Sequence, residues 1–456
     1  MATQKISLGE KLAFGAGDCG CNFVWNVLAL FMTIYYTDSV MISAAAVGGI
    51  MLASRIFDGI SDLVMGAILD KTKTRWGKAR PWILWSAPFM AIALILTFSV
   101  PDISETGKVI YAFCTYFFLT VIVYTASNLP YNALLSFITD DQKERTSLSS
   151  IRFFMVNFLV IILSFVTPPA AKALGWFGIT TIYGIIAMCC LIITFFFCKE
   201  RVEPVEVKKE NISFVKSLGY LVKNKYFIYL AIIFVIDYIM FAVNGSSGMY
   251  YVKYIFHDEN IFGMLVLFGN VPMMLSCLFF PVIANRFGKW NCMIGGYVVM
   301  IIGFGIIALF PDNYYCALLG NVIAGIGRAP HNAGLFALVA DVVDYGEWKT
   351  NKRIEGVTYS VTSFGMKVGA GLGGAVTGIV LAMGNYDGSL AVQSDSAITA
   401  IMAICAYIPI GICVLGILIM LTANIDKIYP QVVRDLAIRH AKENYCLLYT
   451  SDAADD

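Results

Sequence analysis

Twelve stretches of this chain are long and apolar enough to cross a hydrocarbon layer: 12–37, 45–70, 81–101, 108–138, 148–170, 178–198, 226–248, 260–285, 291–311, 314–342, 356–383 and 395–422. A bilayer core needs ~20 predominantly apolar residues per helical crossing and offers no water to an open backbone. The expected fold is therefore an all-α membrane protein with 12 transmembrane helices. Hydrophobic residues make up 59% of the 456 and charged residues 14%, a balance that excludes a soluble globular protein of this length.

The basic residues predict the orientation. The 71–80 connection carries Lys71, Lys73, Arg75, Lys78 and Arg80, and the 199–225 connection carries seven more. The opposite side holds only Lys108, Lys172 and Lys253, so both termini are expected in the cytoplasm of a bacterial inner-membrane protein. The first apolar run continues the spanning pattern and does not read as a cleavable leader. Twelve cysteines show no metal-ligand spacing and read as free, packed thiols. The last eleven residues, Cys446–Asp456, resemble the in-frame translation of a sequencing adaptor, and no function is expected of them.

Chemistry is concentrated between Ser54 and Trp82. Arg55, Asp58 and Asp62 lie inside an apolar span, where an ionised group costs at least ~2.5 kcal/mol. Asp58 and Asp62 are four apart, so both carboxylates face one side of a helix, with Arg55 one turn before. Such a pair can hold a metal ion or share a proton, as a cation-coupled transporter requires. The competing reading is an Arg–Asp ion pair that pins helices together.

The two halves of the chain echo one another. Pro130-Tyr131-Asn132-Ala133 recurs as Pro330-His331-Asn332-Ala333, and Arg75-Trp76-Gly77-Lys78 as Arg286-Phe287-Gly288-Lys289. Both echoes fall at matching places among six spans on either side of a charged centre, which points to duplication. The expected domains are a bundle at 1–198, a cytoplasmic loop at 199–225, a second bundle at 226–424 and a cytoplasmic tail at 425–445. Two six-helix bundles around a central cavity are the architecture of the major facilitator superfamily. Pro130 and Pro330 each remove a backbone hydrogen bond, so Asn128, Asn132 and Asn332 can cap freed backbone groups or bind substrate.

From Leu8 to about Tyr429 the chain resembles the glycoside–pentoside–hexuronide:cation symporters, the melibiose-carrier family of that superfamily. The marks are Arg55-x-x-Asp58-x-x-x-Asp62-x-x-x-Gly66, Arg75-Trp76-Gly77-Lys78-Ala79-Arg80-Pro81-Trp82, Arg152-Phe153-Phe154 and Asp341-Val342-Val343-Asp344-Tyr345-Gly346-Glu347-Trp348. The resemblance implies a cation cage of Asp58, Ser61, Asp62 and Thr125, with Asp58 and Asp62 as metal ligands if the ion is Na+. All four supply oxygens, as a small hard cation prefers. Ser61 stands where the melibiose carrier has Asn.

For the sugar, the resemblance implies a clamp at Asn22, Asn128 and Arg152, with amides where the melibiose carrier has acids. Asn both donates and accepts, so it still suits sugar hydroxyls. The loss of negative charge, with Arg152 and Lys367 present, suits a glucuronide or a neutral pentoside, and Asp18 can restore an acidic contact. Tyr124, Asn132 and Asn332 complete the expected sugar site. Lys367, between Gly365 and Gly369, is expected to face the cavity and to pair with Asp58 or Asp62. Trp25, Tyr124, Tyr131 and Tyr359 are candidates to stack on a sugar ring, and Asp237 reads as either a cavity residue or a hydrogen-bonded structural acid.

The charged connections suggest a gate in which Arg75, Lys78, Lys143 and Arg145 of the first half meet Asp341, Asp344 and Glu347 of the second. The expected function is a monomeric symporter that imports a glycoside or oligosaccharide with Na+ or H+ by alternating access. Its partners are the sugar, the coupling cation and the bilayer. No nucleic acid or cofactor is implied, and no catalytic residue, because no nucleotide loop or nucleophilic triad is present. The rival readings are a Na+-coupled lysolipid transporter of the same fold and a non-transporting membrane sensor.

Overall fold

Backbone polar groups in lipid must be satisfied within the segment, and the short connections of this chain carry the residues that start and stop helices. Ser7, Ser43, Ser104, Asn224 and Ser394 each cap a helix start through the side-chain oxygen, and Asp141 does the same. A computed structural model describes residues 6–139, 141–202, 214–350, 355–390 and 392–439. These residues are helical apart from short connections, with no strand among them and a single bridge from Thr74 to Gly77.

Among the described residues, eight helical stretches are long and apolar enough to cross a membrane by length and composition. The other expected spans fall on helical segments with charges inside them: 8–39 with Asp18, Ala44–Lys71 with Arg55, Asp58 and Asp62, and Tyr314–Thr350 with Arg328. The expected loop between 170 and 178 is absent. Helix runs from Gln142 to Phe197, broken only at Gly175, whose φ of 69° turns the chain back in one residue. The expected span 226–248 also extends further, to Tyr254. Phe214–Lys223 forms a short helix within the central connection. The expected adaptor residues 446–456 lie outside the described residues.

Buried apolar side chains form two large cores. One draws on residues between Ile6 and Cys198, and the other on residues between Leu221 and Leu436 together with Phe31, Ile34 and Ala44. The repeated Trp/Phe-Gly-Lys turn has the same construction in each. Gly77 adopts φ 105°, and the backbone N–H groups of Lys78, Ala79 and Arg80 donate to the Glu200 carboxylate at 2.7, 2.9 and 2.9 Å. Gly288 adopts φ 86°, and the N–H groups of Trp290 and Asn291 donate to Asp426 at 2.9 and 3.2 Å. In both, a carboxylate just past the last expected span of its half caps a helix start, where the backbone dipoles favour an anion. The sequence echo therefore has a mechanical content.

The two cores meet along the 355–383 helix, whose glycines let neighbouring backbones approach closely, as membrane helices require in place of hydrophobic drive. Gly371 and Gly374 lie against Arg55 and Met51 of the 44–71 helix, while Gly369 and Gly373 lie against Val235 and Ile239 of the 225–254 helix. Gly378 faces the Ala44 carbonyl so closely that a Cβ there overlaps it. Gly378→Val is therefore expected to wedge these helices apart. Crosslinking of a cysteine pair placed at their ends should fall sharply, and an unchanged yield would show that the contact is not tight.

Candidate functional site

The 44–71 helix carries Arg55, Asp58 and Asp62 on one face, and the 355–383 helix brings Lys367 to it. The Lys367 ammonium lies 2.7 Å from Asp58 Oδ1 and 2.7 Å from Asp62 Oδ2, and it also donates to the Asp58 carbonyl at 3.3 Å. Asp58 is fully buried, and its second oxygen accepts from Arg55 Nη1 at 3.2 Å. Thr125 Oγ1 donates to Asp58 Oδ1 at 3.1 Å and lies 3.1 Å from Ser61 Oγ, which donates to the Asp58 carbonyl at 2.8 Å. Two carboxylates and a carbonyl thus meet one ammonium, and two hydroxyls bond Asp58 beside it. Arg55 itself is held over the Trp25 ring at 4.3 Å. That contact spends one face of Trp25, and Tyr124 stacks on the same ring with centroids 5.7 Å apart.

The expected sugar residues form a polar chain of hydrogen bonds and one ion pair across three helices. Asn26 donates to Asn22 Oδ1 at 3.2 Å, and Asn22 to Asp18 Oδ1 at 3.2 Å. Arg152 Nε approaches Asp18 Oδ2 at 3.9 Å, and Arg152 Nη1 donates to Asn132 Oδ1 at 3.0 Å. Asn132 donates in turn to Asn128 Oδ1 at 2.9 Å. Asn332 is exposed on the opposite half, where its amide lies 3.2 Å from Met273 Sδ. Tyr131 is not a stacking surface: it is fully buried, stacks on Phe14, and donates to the Phe14 carbonyl at 2.8 Å. The Tyr359 side chain lies outside the described residues.

Asp237 is a hydrogen-bonded acid in a buried cluster. Tyr297 Oη donates to Asp237 Oδ1 at 2.7 Å, and His331 Nδ1 lies 2.9 Å from Asp237 Oδ2. Among the described residues, the following partners of the expected gate residues lie within their own halves. Arg75 lies over Trp76, Arg145 Nε donates to the Thr139 carbonyl at 2.8 Å, and the Lys78 N–H serves the Glu200 cap. Asp341 pairs with Lys289 at 2.7 Å, Asp344 accepts from Tyr429 at 3.0 Å, and the Glu347 carbonyl accepts from Arg439 at 3.3 Å.

Apart from the Lys367 pairs, the polar links between the halves among the described residues gather at the end opposite the termini. Asp38 pairs with Lys253 and accepts from Tyr386 and, at 2.8 Å, from Tyr254. Thr37 Oγ1 lies 2.8 Å from Tyr250 Oη, and Lys172 pairs with Glu259 at 3.1 Å. Sequence reasoning missed this clamp. The partners of Thr37 and Asp38 are more than 200 residues away, and no local spacing marks them.

A profile of the MFS/sugar transport protein family matches residues 13–427. The chain belongs to that family. It is 34% identical to the isoprimeverose transporter of Lactiplantibacillus pentosus over 450 residues, covering 96% of this chain and 93% of that one. It is 31% identical to the glucuronide carrier protein homolog of Escherichia coli K12, covering 95% and 96%. Among solved structures, the nucleoside transporter NupG matches with a TM-score of 0.65 at 16% identity, over 91% of this chain and all of that one. That likeness establishes the fold, and membership of the family makes the chain a transporter rather than an enzyme.

Proposed function

We propose that this sugar symporter takes up a glycoside or oligosaccharide of the xyloside, glucuronide or galactoside class with Na+ or H+, by alternating access across a bacterial inner membrane. The observation that carries the reading is the Lys367 ammonium between Asp58 and Asp62, with the Thr125 and Ser61 hydroxyls beside it. A coupling cation competes with that ammonium for the same oxygens. Its arrival loosens the tie between the 44–71 and 355–383 helices, and by linkage it raises sugar affinity. The sugar binds at Asp18, Asn22, Asn128, Asn132 and Arg152, with Tyr124 below and Asn332 and Lys367 facing it. With both termini cytoplasmic, the Asp38 clamp closes the outer side, and the halves 1–198 and 226–424 rock about the cavity. When the cytoplasmic side closes, Arg75, Lys78 and Arg145 meet Asp341, Asp344 and Glu347.

The test is sugar-induced pH change in weakly buffered cells expressing the carrier, with and without sodium. Its relatives include carriers named for isoprimeverose and for glucuronides, so xylosides, glucuronides and α-galactosides belong on the panel. Alkalinisation on adding one sugar identifies that class and proton coupling. Sodium-dependent entry without a pH change assigns the cage to Na+. Entry of no sugar despite inserted protein overturns the reading.

A further inference from the structure

Most charged groups within the spans have a partner nearby. Arg152 approaches Asp18, Lys367 and Arg55 share Asp58 and Asp62, and the two oxygens of Asp237 serve Tyr297 and His331. Arg328 is the exception. It lies fourteen residues into the helix that starts at Tyr314, or roughly 21 Å at 1.5 Å per residue, which is near the middle of a bilayer. Its Nε is enclosed without a hydrogen-bond partner, and Arg328 makes no ion pair among the described residues. An arginine at that depth is costly and is normally paired, so the missing anion needs a source.

The guanidinium packs against a glycine of the neighbouring helix. Beside the guanidinium stands Gly269, and Nη2 is 3.1 Å from where a Cβ on that residue would be, so any side chain there would crowd it. Arg328 is half-buried and shares a helix face with exposed Asn332, four residues on. Under the internal repeat, which offsets this helix by 200 residues, Arg328 corresponds to Asn128 and Asn332 to Asn132. It thus stands in the second half where the polar chain of the sugar site stands in the first. Arg152 and Lys367, the cations that the sequence reserves for an acidic sugar, already have carboxylates.

We propose that Arg328 is an anion subsite of the sugar cavity and that the transported glycoside carries a carboxylate, as a uronic acid does. This rests on the symporter reading and narrows its substrate. The planar guanidinium offers a carboxylate two parallel donors, which a neutral hydroxymethyl group cannot match. An acidic sugar satisfies the buried Nε, whereas a neutral sugar leaves it unpaired, and that difference sets the preference.

The experiment uses the full chain in proteoliposomes and measures counterflow of 4-nitrophenyl β-D-glucuronide against 4-nitrophenyl β-D-glucoside. The wild type is expected to prefer the glucuronide by about a hundredfold, the scale on which a buried charge pair discriminates. Arg328→Gln should abolish that preference while keeping glucoside counterflow, which also shows that the variant is folded. Arg328→Lys should retain part of it. Equal handling of the two sugars by the wild type, or an unchanged preference in Arg328→Gln, overturns the subsite and leaves the symporter intact. Failure to move either of these sugars overturns the subsite, and only failure of the whole uptake panel overturns the symporter reading with it.

Discussion

Replacing Lys367 with Gln is expected to lower the half-saturating concentration of the coupling cation by about tenfold or more, while net sugar uptake falls and exchange survives. The ammonium sits 2.7 Å from a carboxylate oxygen on each of Asp58 and Asp62, and a cation must compete with it for those oxygens. Without the lysine that competition ends, so the ion binds more tightly. The unloaded carrier is then left with two carboxylates and only Arg55 to balance them. Removing one partner of a buried pair costs ~3–5 kcal/mol, which burdens the return of the empty carrier but not exchange of the loaded one. Counterflow and net uptake across a cation titration separate the two effects. Asp58→Asn should act oppositely, since Asp58 is the fully buried member that joins Arg55, Thr125 and Lys367. Cation dependence should vanish. An unchanged half-saturation in Lys367→Gln would mean that the ion binds elsewhere.

The second large effect is expected at the clamp. Asp38→Asn removes the charge that Lys253, Tyr254 and Tyr386 share at the end opposite the termini. Asp38 is buried there, and loss of one partner of such a hydrogen-bonded pair is worth about 2 kcal/mol. That corresponds to a roughly thirtyfold shift toward carriers open at this end. Spin labels on the 39–44 and 255–261 connections should report a longer distance population, and Lys253→Gln should reproduce it. In the double variant the effects should fall well short of additive, because each removes the same interaction. A full additive shift would show that Asp38 and Lys253 act separately.

The cation cage was legible to the extent that it is local. Asp58 and Asp62 share a helix face because they are four residues apart, and any helix through that segment aligns them. The same spacing separates Asn128 from Asn132 and Asp18 from Asn22, pairs that do hydrogen-bond. The rule cannot say which face meets solvent. Tyr131 and His331 occupy the same position of the repeat, yet both turn inward, one onto the Phe14 carbonyl and the other onto Asp237.

Apolar length determined the class of fold by itself, because a bilayer admits few alternatives for such segments. The repeated Gly-Lys turn marked the duplication, since a left-handed backbone beside a helix start favours glycine wherever it recurs. Only the tertiary structure decided how the charges pair. Lys367 reaches Asp58 across 309 residues, and Lys253 reaches Asp38 across 215. Those encounters depend on how closely glycine-lined helices pack and on which end of the halves is shut. Arg328 remained unremarked for the same reason. In the sequence it is one basic residue in a span, and only its neighbours, Gly269 beside it and no carboxylate among the described residues, give it a purpose.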